Sequence, residues 1–160
     1  HGGSNNEYIG QIGGCTDQEY RTHFSLWAMM NSPLMIGCDI RSMSDYTKET
    51  LMNPDVIAIN QDMECRGPYC IPQWNNPENV LSLVKPMSDG SLAIGMFNFS
   101  DVRSEMSLQF WDMGLPASAG VGLEMYNCWT HENEGSFFER YVNILEPHDC
   151  AVYRARLVRK

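Results

Sequence analysis

The chain has 160 residues, of which 43% are hydrophobic and 19% charged, so it can bury a core and is not a disordered polypeptide. Twenty acidic and eleven basic side chains give a formal net charge of −9, which disfavours binding to the phosphate backbone of nucleic acids. No apolar run approaches the roughly 20 residues of a membrane-spanning helix, so neither nucleic acid nor a membrane is expected as a partner.

The first predicted elements are a strand and an amphipathic helix. Residues 8–12 form a short apolar segment of strand length that ends at two glycines. Residues 16–19, with the sequence Thr-Asp-Gln-Glu, have the pattern of a capping box and predict a helix that starts at Thr16. Four residues at spacings of four, three and three are predicted to form the apolar face of this helix: Tyr20, Phe24, Trp27 and Met30.

A second strand and helix follow. The apolar run over residues 33–38 is continuous, which is typical of a strand that is buried on both faces. Ser44 is the predicted cap of a second helix, and Asn53-Pro54 either closes that helix or opens a short following one before the apolar run 56–59. The order strand, helix, strand, helix predicts an α/β barrel or a doubly wound parallel sheet.

The composition changes near residue 64. Residues 64–77 are rich in proline, glycine and asparagine, which indicates a linker or crossover. Beyond it, apolar segments recur at hairpin spacing, and Asp89-Gly90 is a strong turn signal. The predicted strands are residues 80–85, 91–99, 106–110, 122–129, 140–145 and 150–157. Short strands without a helix predict an antiparallel β-sandwich over residues 78–160.

The six cysteines are too sparse for a disulfide scaffold. Cys65 and Cys70 flank a turn that could close a small bridge, and the sequence leaves their pairing open. The other four are expected to be free, buried thiols. Neither the cysteines nor the four histidines have the paired spacings of a zinc site, so we predict no metal ligands and no cofactor.

Two polar segments adjoin the predicted barrel strands, and an α/β barrel places its chemistry at the carboxyl ends of its strands. One surrounds Glu7, and the other is residues 38–41, Cys-Asp-Ile-Arg. The favoured interpretation is that Asp39 and Arg41 form an ion pair that steadies the barrel rim. The alternative is a catalytic carboxylate pair formed by Glu7 and Asp39.

Three consecutive blocks resemble the last quarter of the barrel in glycoside hydrolase family 27, the family of α-galactosidases and α-N-acetylgalactosaminidases (melibiases). These blocks are TDQEYRTHFSL at 16–26, WAMMNSPLMIGCDIRSMS at 27–44 and DVIAINQD at 55–62. Two later segments, KPMSDG at 85–90 and PHDCAVY at 147–153, resemble the C-terminal sandwich of that family. The resemblance implies an α/β plus all-β chain. Residues 1–63 would be the last strand–helix units of a (β/α)8 TIM barrel, residues 64–77 a linker and residues 78–160 an antiparallel β-sandwich.

The resemblance also implies a retaining exo-glycosidase that hydrolyses terminal α-galactosidic or closely related linkages. Both catalytic aspartates of the family precede the segments found here, so no catalytic residue is assigned and the chain alone is expected to be inactive. The family's sugar-contacting Asp-Met pair falls in register with Asn5 and Asn6, although its usual Trp-Asn-Asp-Pro-Asp-Met pattern is absent. These two asparagines are the predicted substrate-binding residues. Four residues are predicted to support the barrel rim without touching the sugar: Glu7, Cys38, Asp39 and Arg41.

The expected partners are a carbohydrate substrate and the remainder of the barrel, since the opening His1-Gly2-Gly3-Ser4 without an initiator methionine suggests a piece of a longer protein. The alternative function is a non-catalytic carbohydrate-binding or interaction sandwich, because aromatic faces can stack on sugar rings. Its four candidate aromatic residues are more simply explained as core or barrel-facing contacts: Trp74, Trp111, Tyr126 and Trp129.

Overall fold

The computed structural model describes residues 16–32, 44–64, 66–71, 73 and 79–160. The strands predicted over residues 8–12 and 33–38 lie outside these ranges. Three helices come first in the described part of the chain: α1 (Asp17–Met29), α2 (Asp45–Leu51) and α3 (Pro54–Asn60). None of the described helices is long and apolar enough to cross a membrane.

The predicted starts of the first two helices are confirmed. The Thr16 hydroxyl accepts a hydrogen bond from the Glu19 amide at 3.2 Å, and the Glu19 carboxylate accepts one from the Thr16 amide at 2.7 Å. The latter bond is the main cause of the lowered pKa of Glu19. Ser44 caps α2 by accepting a hydrogen bond from the Thr47 amide at 3.1 Å.

The predicted apolar face of α1 is wrong for three of its four residues. Phe24 is buried, but Tyr20, Trp27 and Met30 are exposed by 46–53%. The helix instead turns a face with small side chains toward the sheet, and the buried residues of that face are Thr22, Phe24, Ser25, Ala28 and Met29. Small residues permit a close approach, and a Cβ at Gly95 of the sheet would lie 3.1 Å from the Met29 side chain.

Asn53-Pro54 opens a separate helix, which was the second of the two predicted alternatives. The Asn53 side chain accepts hydrogen bonds from the amides of Asp55 and Val56, and Pro54 occupies the first helical turn. The apolar run 56–59 therefore lies on α3, where Val56 and Ile59 are buried against the sheet.

Eight strands follow the helices: β1 (Tyr69–Ile71), β2 (Val80–Pro86), β3 (Leu92–Asn98), β4 (Ser104–Gln109), β5 (Val121–Asn127), β6 (Glu132–Phe137), β7 (Arg140–Leu145) and β8 (Cys150–Arg159). All six predicted strands are present. The sequence missed β6, because five of its six residues are exposed and polar or glycine, and β1, which lies inside the segment predicted as a linker.

The strands form two antiparallel sheets, which confirms the predicted sandwich. The large sheet has the order β1-β2-β3-β8-β5-β6, and the small sheet pairs β4 with β7. Their facing sides enclose a core of aromatic, aliphatic and methionine side chains, among which Met96, Leu108, Phe110, Met125 and Tyr153 are almost completely buried.

The other face of the large sheet packs against the helices. Since side chains alternate along a strand, Ile94 and Met96 of β3 point into the sandwich while Ala93 and Phe97 point toward the helices. Phe97 shares this second core with Phe24, Ala28 and Met29 of α1 and with Val56 and Ile59 of α3. The helices and the sandwich are therefore joined by apolar burial as well as by chain connectivity.

Candidate functional site

The residues for which the sequence predicts a role lie outside the described part of the chain. This holds for the proposed substrate contacts Asn5 and Asn6 and for all of the proposed rim residues: Glu7, Cys38, Asp39 and Arg41. Their roles stay predictions. Several polar contacts of the described residues lie where the helices meet the large sheet, and this boundary is called the seam below.

Lys85 of β2 is fully buried in the seam. Its ammonium group donates hydrogen bonds to the side-chain oxygen of Asn31, just after α1, and to the backbone carbonyl of Ile59 in α3. A buried ammonium group is tolerated only when its donors are satisfied. Lys85 thereby joins β2 to α3 and to the segment that follows α1, contacts that were not predicted from the sequence.

Asp62 forms a second polar contact across the seam. Its Oδ2 accepts hydrogen bonds from the Ser88 amide at 3.0 Å and the Ser88 hydroxyl at 2.7 Å. The bond from the Ser88 amide is the main cause of the lowered pKa of Asp62, and the positive charge of Lys85 acts in the same direction. These bonds fix the turn between β2 and β3 to the segment that follows α3.

Two histidines each contact a carboxylate that belongs to another part of the chain. His131 Nδ1 lies 2.7 Å from Asp55 Oδ2, which also accepts a hydrogen bond from the Tyr126 hydroxyl at 3.0 Å. Burial and then this bond raise the pKa of Tyr126. His148 Nε2 lies 2.7 Å from Asp101 Oδ1, and its Nδ1 lies 3.9 Å from Glu19 of α1.

Trp129 has a structural role in the seam. It is only 8% exposed, its indole nitrogen donates to the Ser25 hydroxyl at 3.1 Å, and the Arg21 guanidinium lies 4.6 Å from its ring centroid. The prediction that Trp129 is a core residue is therefore confirmed. Trp111, which follows the end of β4, is 63% exposed and is therefore not a core residue; that it faces the barrel stays a prediction, and Trp74 lies outside the described residues.

Beyond α3, the helix-facing side of the large sheet forms a groove of about 310 Å³, called the polar groove below. Seven residues from α3, from β5, β6 and β8, and from the segment just after β5 line it: Asp55, Glu124, Tyr126, Cys128, Asn133, Arg154 and Arg156. Glu124 lies opposite Arg156 in the strand register, and Tyr126 lies between Asn133 and Arg154. The groove was not predicted from the sequence. The local sequence signal for it is that polar residues recur at i, i+2 spacing in β5 and in β8.

Arg154, at one side of the groove, is held by the turn between β2 and β3. Its Nε donates to the Ser91 hydroxyl at 2.7 Å, and a terminal nitrogen donates to Asp89 Oδ2 at 3.1 Å. Asp89 also accepts hydrogen bonds from the hydroxyl and amide of Ser91, which together with Arg154 lower its pKa to about 2. The charge of Arg154 is thus largely balanced by Asp89.

The described cysteines are free thiols. Cys70 is exposed, whereas Cys128 and Cys150 are buried as predicted; Cys65 lies outside the described residues. Burial raises the pKa of Cys128 to about 12, so this thiol is not a nucleophile at neutral pH. Within the described ranges, no three His, Cys, Asp or Glu side chains are arranged to hold a metal ion.

Both parts of the chain match families of known proteins. The family described as "Alpha galactosidase A" matches residues 3–62, and "Alpha galactosidase C-terminal beta sandwich domain" matches residues 79–155. The chain belongs to the α-galactosidase (melibiase) family. The two matches confirm the predicted order, a segment of the family 27 barrel followed by the C-terminal sandwich.

Individual members of the melibiase family agree with this assignment. An α-galactosidase of Cyamopsis tetragonoloba is 33% identical over 141 residues, which cover 88% of this chain and 33% of that protein. Among solved structures, α-galactosidase I of Mortierella vinacea superposes with a TM-score of 0.80 at 25% identity, covering 90% of this chain and 36% of that one. A β-L-arabinopyranosidase of Geobacillus stearothermophilus gives 0.74 at 25% identity, covering 88% and 30%. This melibiase-family chain spans about a third of the length of the curated relatives it matches.

Proposed function

We propose that this chain is part of a retaining exo-glycosidase that hydrolyses terminal α-galactosidic linkages. The observation that carries the proposal is the match to both α-galactosidase families, in chain order, together with 33% identity to a plant α-galactosidase. In a retaining mechanism one carboxylate attacks the anomeric carbon while the other protonates the leaving oxygen and then activates water. Both carboxylates are proposed to lie in a part of the enzyme outside this sequence, and no cofactor takes part.

Within that enzyme, residues 1–63 are proposed to complete the barrel, residues 64–77 to connect it to the sandwich, and residues 78–160 to form the sandwich. Asn5 and Asn6 would contact the sugar. The remaining four residues would hold the loops at the barrel rim: Glu7, Cys38, Asp39 and Arg41. The match over residues 3–62 supports this proposal because it covers all six positions.

The seam gives the sandwich a role in this enzyme. Lys85, Asp62 and Phe97 attach the large sheet to helices that belong to the matched barrel segment. A site built from loops needs a rigid support if its groups are to keep their geometry. We therefore propose that the sandwich stabilises the last part of the barrel while the barrel performs the hydrolysis.

The test uses the full-length enzyme and the 160-residue chain side by side with a nitrophenyl α-galactoside. The full-length enzyme is expected to release the nitrophenol, and proton NMR of the first product should show retained α configuration. The chain alone should not exceed the uncatalysed rate. Inversion of configuration would contradict the mechanism, and turnover by the chain alone that is abolished by Asp39→Asn would contradict the placement of the catalytic groups.

A further inference from the structure

The polar groove is a part of the helix-facing sheet surface that the described helices leave open. Helices α1 and α3 cover the apolar residues of β2, β3 and the first half of β8. Past Asp55 of α3, the same face continues as Glu124 and Tyr126 of β5 and Arg154 and Arg156 of β8. The surface thus changes from apolar to polar where the helices end, and a concave space of about 310 Å³ remains there.

Glu124 and Arg156 oppose each other without forming an ion pair. They are direct partners in the antiparallel register of β5 and β8, where opposite charges commonly stabilise each other. Among the described residues, however, the Glu124 side chain has neither a hydrogen bond nor an ion pair, and the one ion pair of Arg156 is to Asp89 at 3.6 Å. The Glu124 carboxylate and much of the Arg156 guanidinium therefore face the groove.

Asn133 of β6 adds a neutral donor to the groove. Its side-chain oxygen accepts a hydrogen bond from the Gly135 amide at 2.8 Å, while its Nδ2 donates to none of the described residues. The groove thus combines an acceptor, Glu124, with donors on Arg156 and Asn133. The lining of the groove is neutral in sum, because two carboxylates, Asp55 and Glu124, are matched by two guanidinium groups, Arg154 and Arg156.

We propose that the polar groove binds a neutral saccharide unit, with Glu124 accepting hydrogen bonds from sugar hydroxyls and Arg156 and Asn133 donating to them. Hydroxyl groups both donate and accept, so a sugar can satisfy all three side chains without introducing charge. The volume lies at the lower end of the range for small-molecule sites, which fits a single sugar residue. The choice of a saccharide rests on the proposed function, since the substrates and products of an enzyme that hydrolyses α-galactosides are saccharides.

The test is a titration of the isotope-labelled 160-residue chain with methyl α-galactoside, followed by amide NMR. The proposal expects weak binding, on the order of millimolar, with shifts concentrated in residues 121–127, 132–137 and 150–159. Glu124→Gln keeps the shape of the side chain and removes its charge, and it should weaken binding about tenfold or more. Asn133→Asp keeps the oxygen that accepts from the Gly135 amide and loses the Nδ2 donor, and it should also weaken binding. Neither variant should unfold the chain, because neither the Glu124 carboxylate nor Asn133 Nδ2 has a partner among the described residues.

The matched control is Glu105→Gln, which removes an exposed carboxylate from β4 of the small sheet and should leave the affinity unchanged. The proposal is overturned if no groove resonance responds to the saccharide, or if wild type and Glu124→Gln respond equally. It is also overturned if glycine, a zwitterion, binds there and the saccharide does not. If the full-length enzyme hydrolyses α-galactosides but no groove resonance shifts in the titration, only this inference fails. Groove binding without such hydrolysis would contradict only the proposed function.

Discussion

Lys85 of strand β2 donates a hydrogen bond to the backbone carbonyl of Ile59, close to the end of helix α3. The two residues are 26 positions apart in the sequence, and both are completely buried. Ile59 packs its side chain into the core between helices and sheet, so one residue contributes both an apolar and a polar contact to the seam. Lys85 also donates to Asn31, so a single side chain connects β2, α3 and the turn after α1.

Replacing Lys85 with Met should lower the free energy of unfolding by about 2–4 kcal/mol, because the buried carbonyl oxygen of Ile59 and the partly buried side-chain oxygen of Asn31 would lose their donor. The measurement is urea unfolding of the whole chain. Lys48→Met is the control, since Lys48 is exposed on α2 and its ion pair with Asp45 is 3.9 Å long. Equal losses in the two variants would show that the buried contact adds nothing to stability.

Phe97→Ala should cost about 3–5 kcal/mol, because it opens a cavity in the core that the sheet shares with α1 and α3. Phe99→Ala is the matched control: Phe99 stacks on Phe97 with ring centroids 5.9 Å apart but is 38% exposed, so its removal should cost about 1 kcal/mol. Thermal unfolding of both variants gives the comparison. A small effect of Phe97→Ala would mean that the helices contribute little to the stability of the sheet.

Asp89 should make stability depend on pH in acid. Its pKa is lowered to about 2 in the folded chain from an ordinary value of 3.8, so the stability it contributes is fully present above about pH 4 and is lost as the pH falls toward 2. Because the side chain is 42% exposed, solvent screening limits this contribution to about 1 kcal/mol. The stability difference between wild type and Asp89→Asn should shrink between pH 4 and pH 2. A stability difference that is constant over this interval would contradict the assignment.

Asp39 remains a predicted supporting residue of the barrel rim. In the full-length enzyme, Asp39→Asn should lower the hydrolysis rate by roughly 10- to 100-fold, as changes to outer supporting groups do. A fluorosugar should still trap the covalent intermediate, because the nucleophile would be intact. A loss of about 10³-fold or more without trapping would instead identify Asp39 as a catalytic carboxylate.

Local signals predicted the fold well wherever neighbouring residues determine the structure. Thr16 and Ser44 cap their helices through bonds to residues three positions away, so the cap is readable from the sequence itself. The face of α1 that becomes buried could not be predicted from neighbouring residues. It depends on the shape of the opposing sheet at Gly95, about 70 positions downstream, and the spacing of Tyr20 and Trp27 carries no information about that surface.

The polar groove was beyond reach of the sequence for a related reason. Asp55 and Arg156 line the same space although 101 positions separate them, and their proximity depends on how α3 packs against the sheet. Asn133 lies on β6, whose polar composition hides the strand altogether. The family resemblance, by contrast, was readable because it rests on whole consecutive blocks and needs no contact between distant residues.

Strand β8 has a neighbour on each side, pairing with β3 over residues 150–155 and with β5 over residues 153–159. Its first half is buried on both faces, and its second half carries the arginines of the groove. A hydrogen-bonded backbone amide in this strand exchanges with solvent only when the ladder that holds it opens. The backbone that carries Arg154 and Arg156 is consequently ordered before a ligand binds. Binding in the groove would therefore cost conformational entropy of the side chains but not of the main chain.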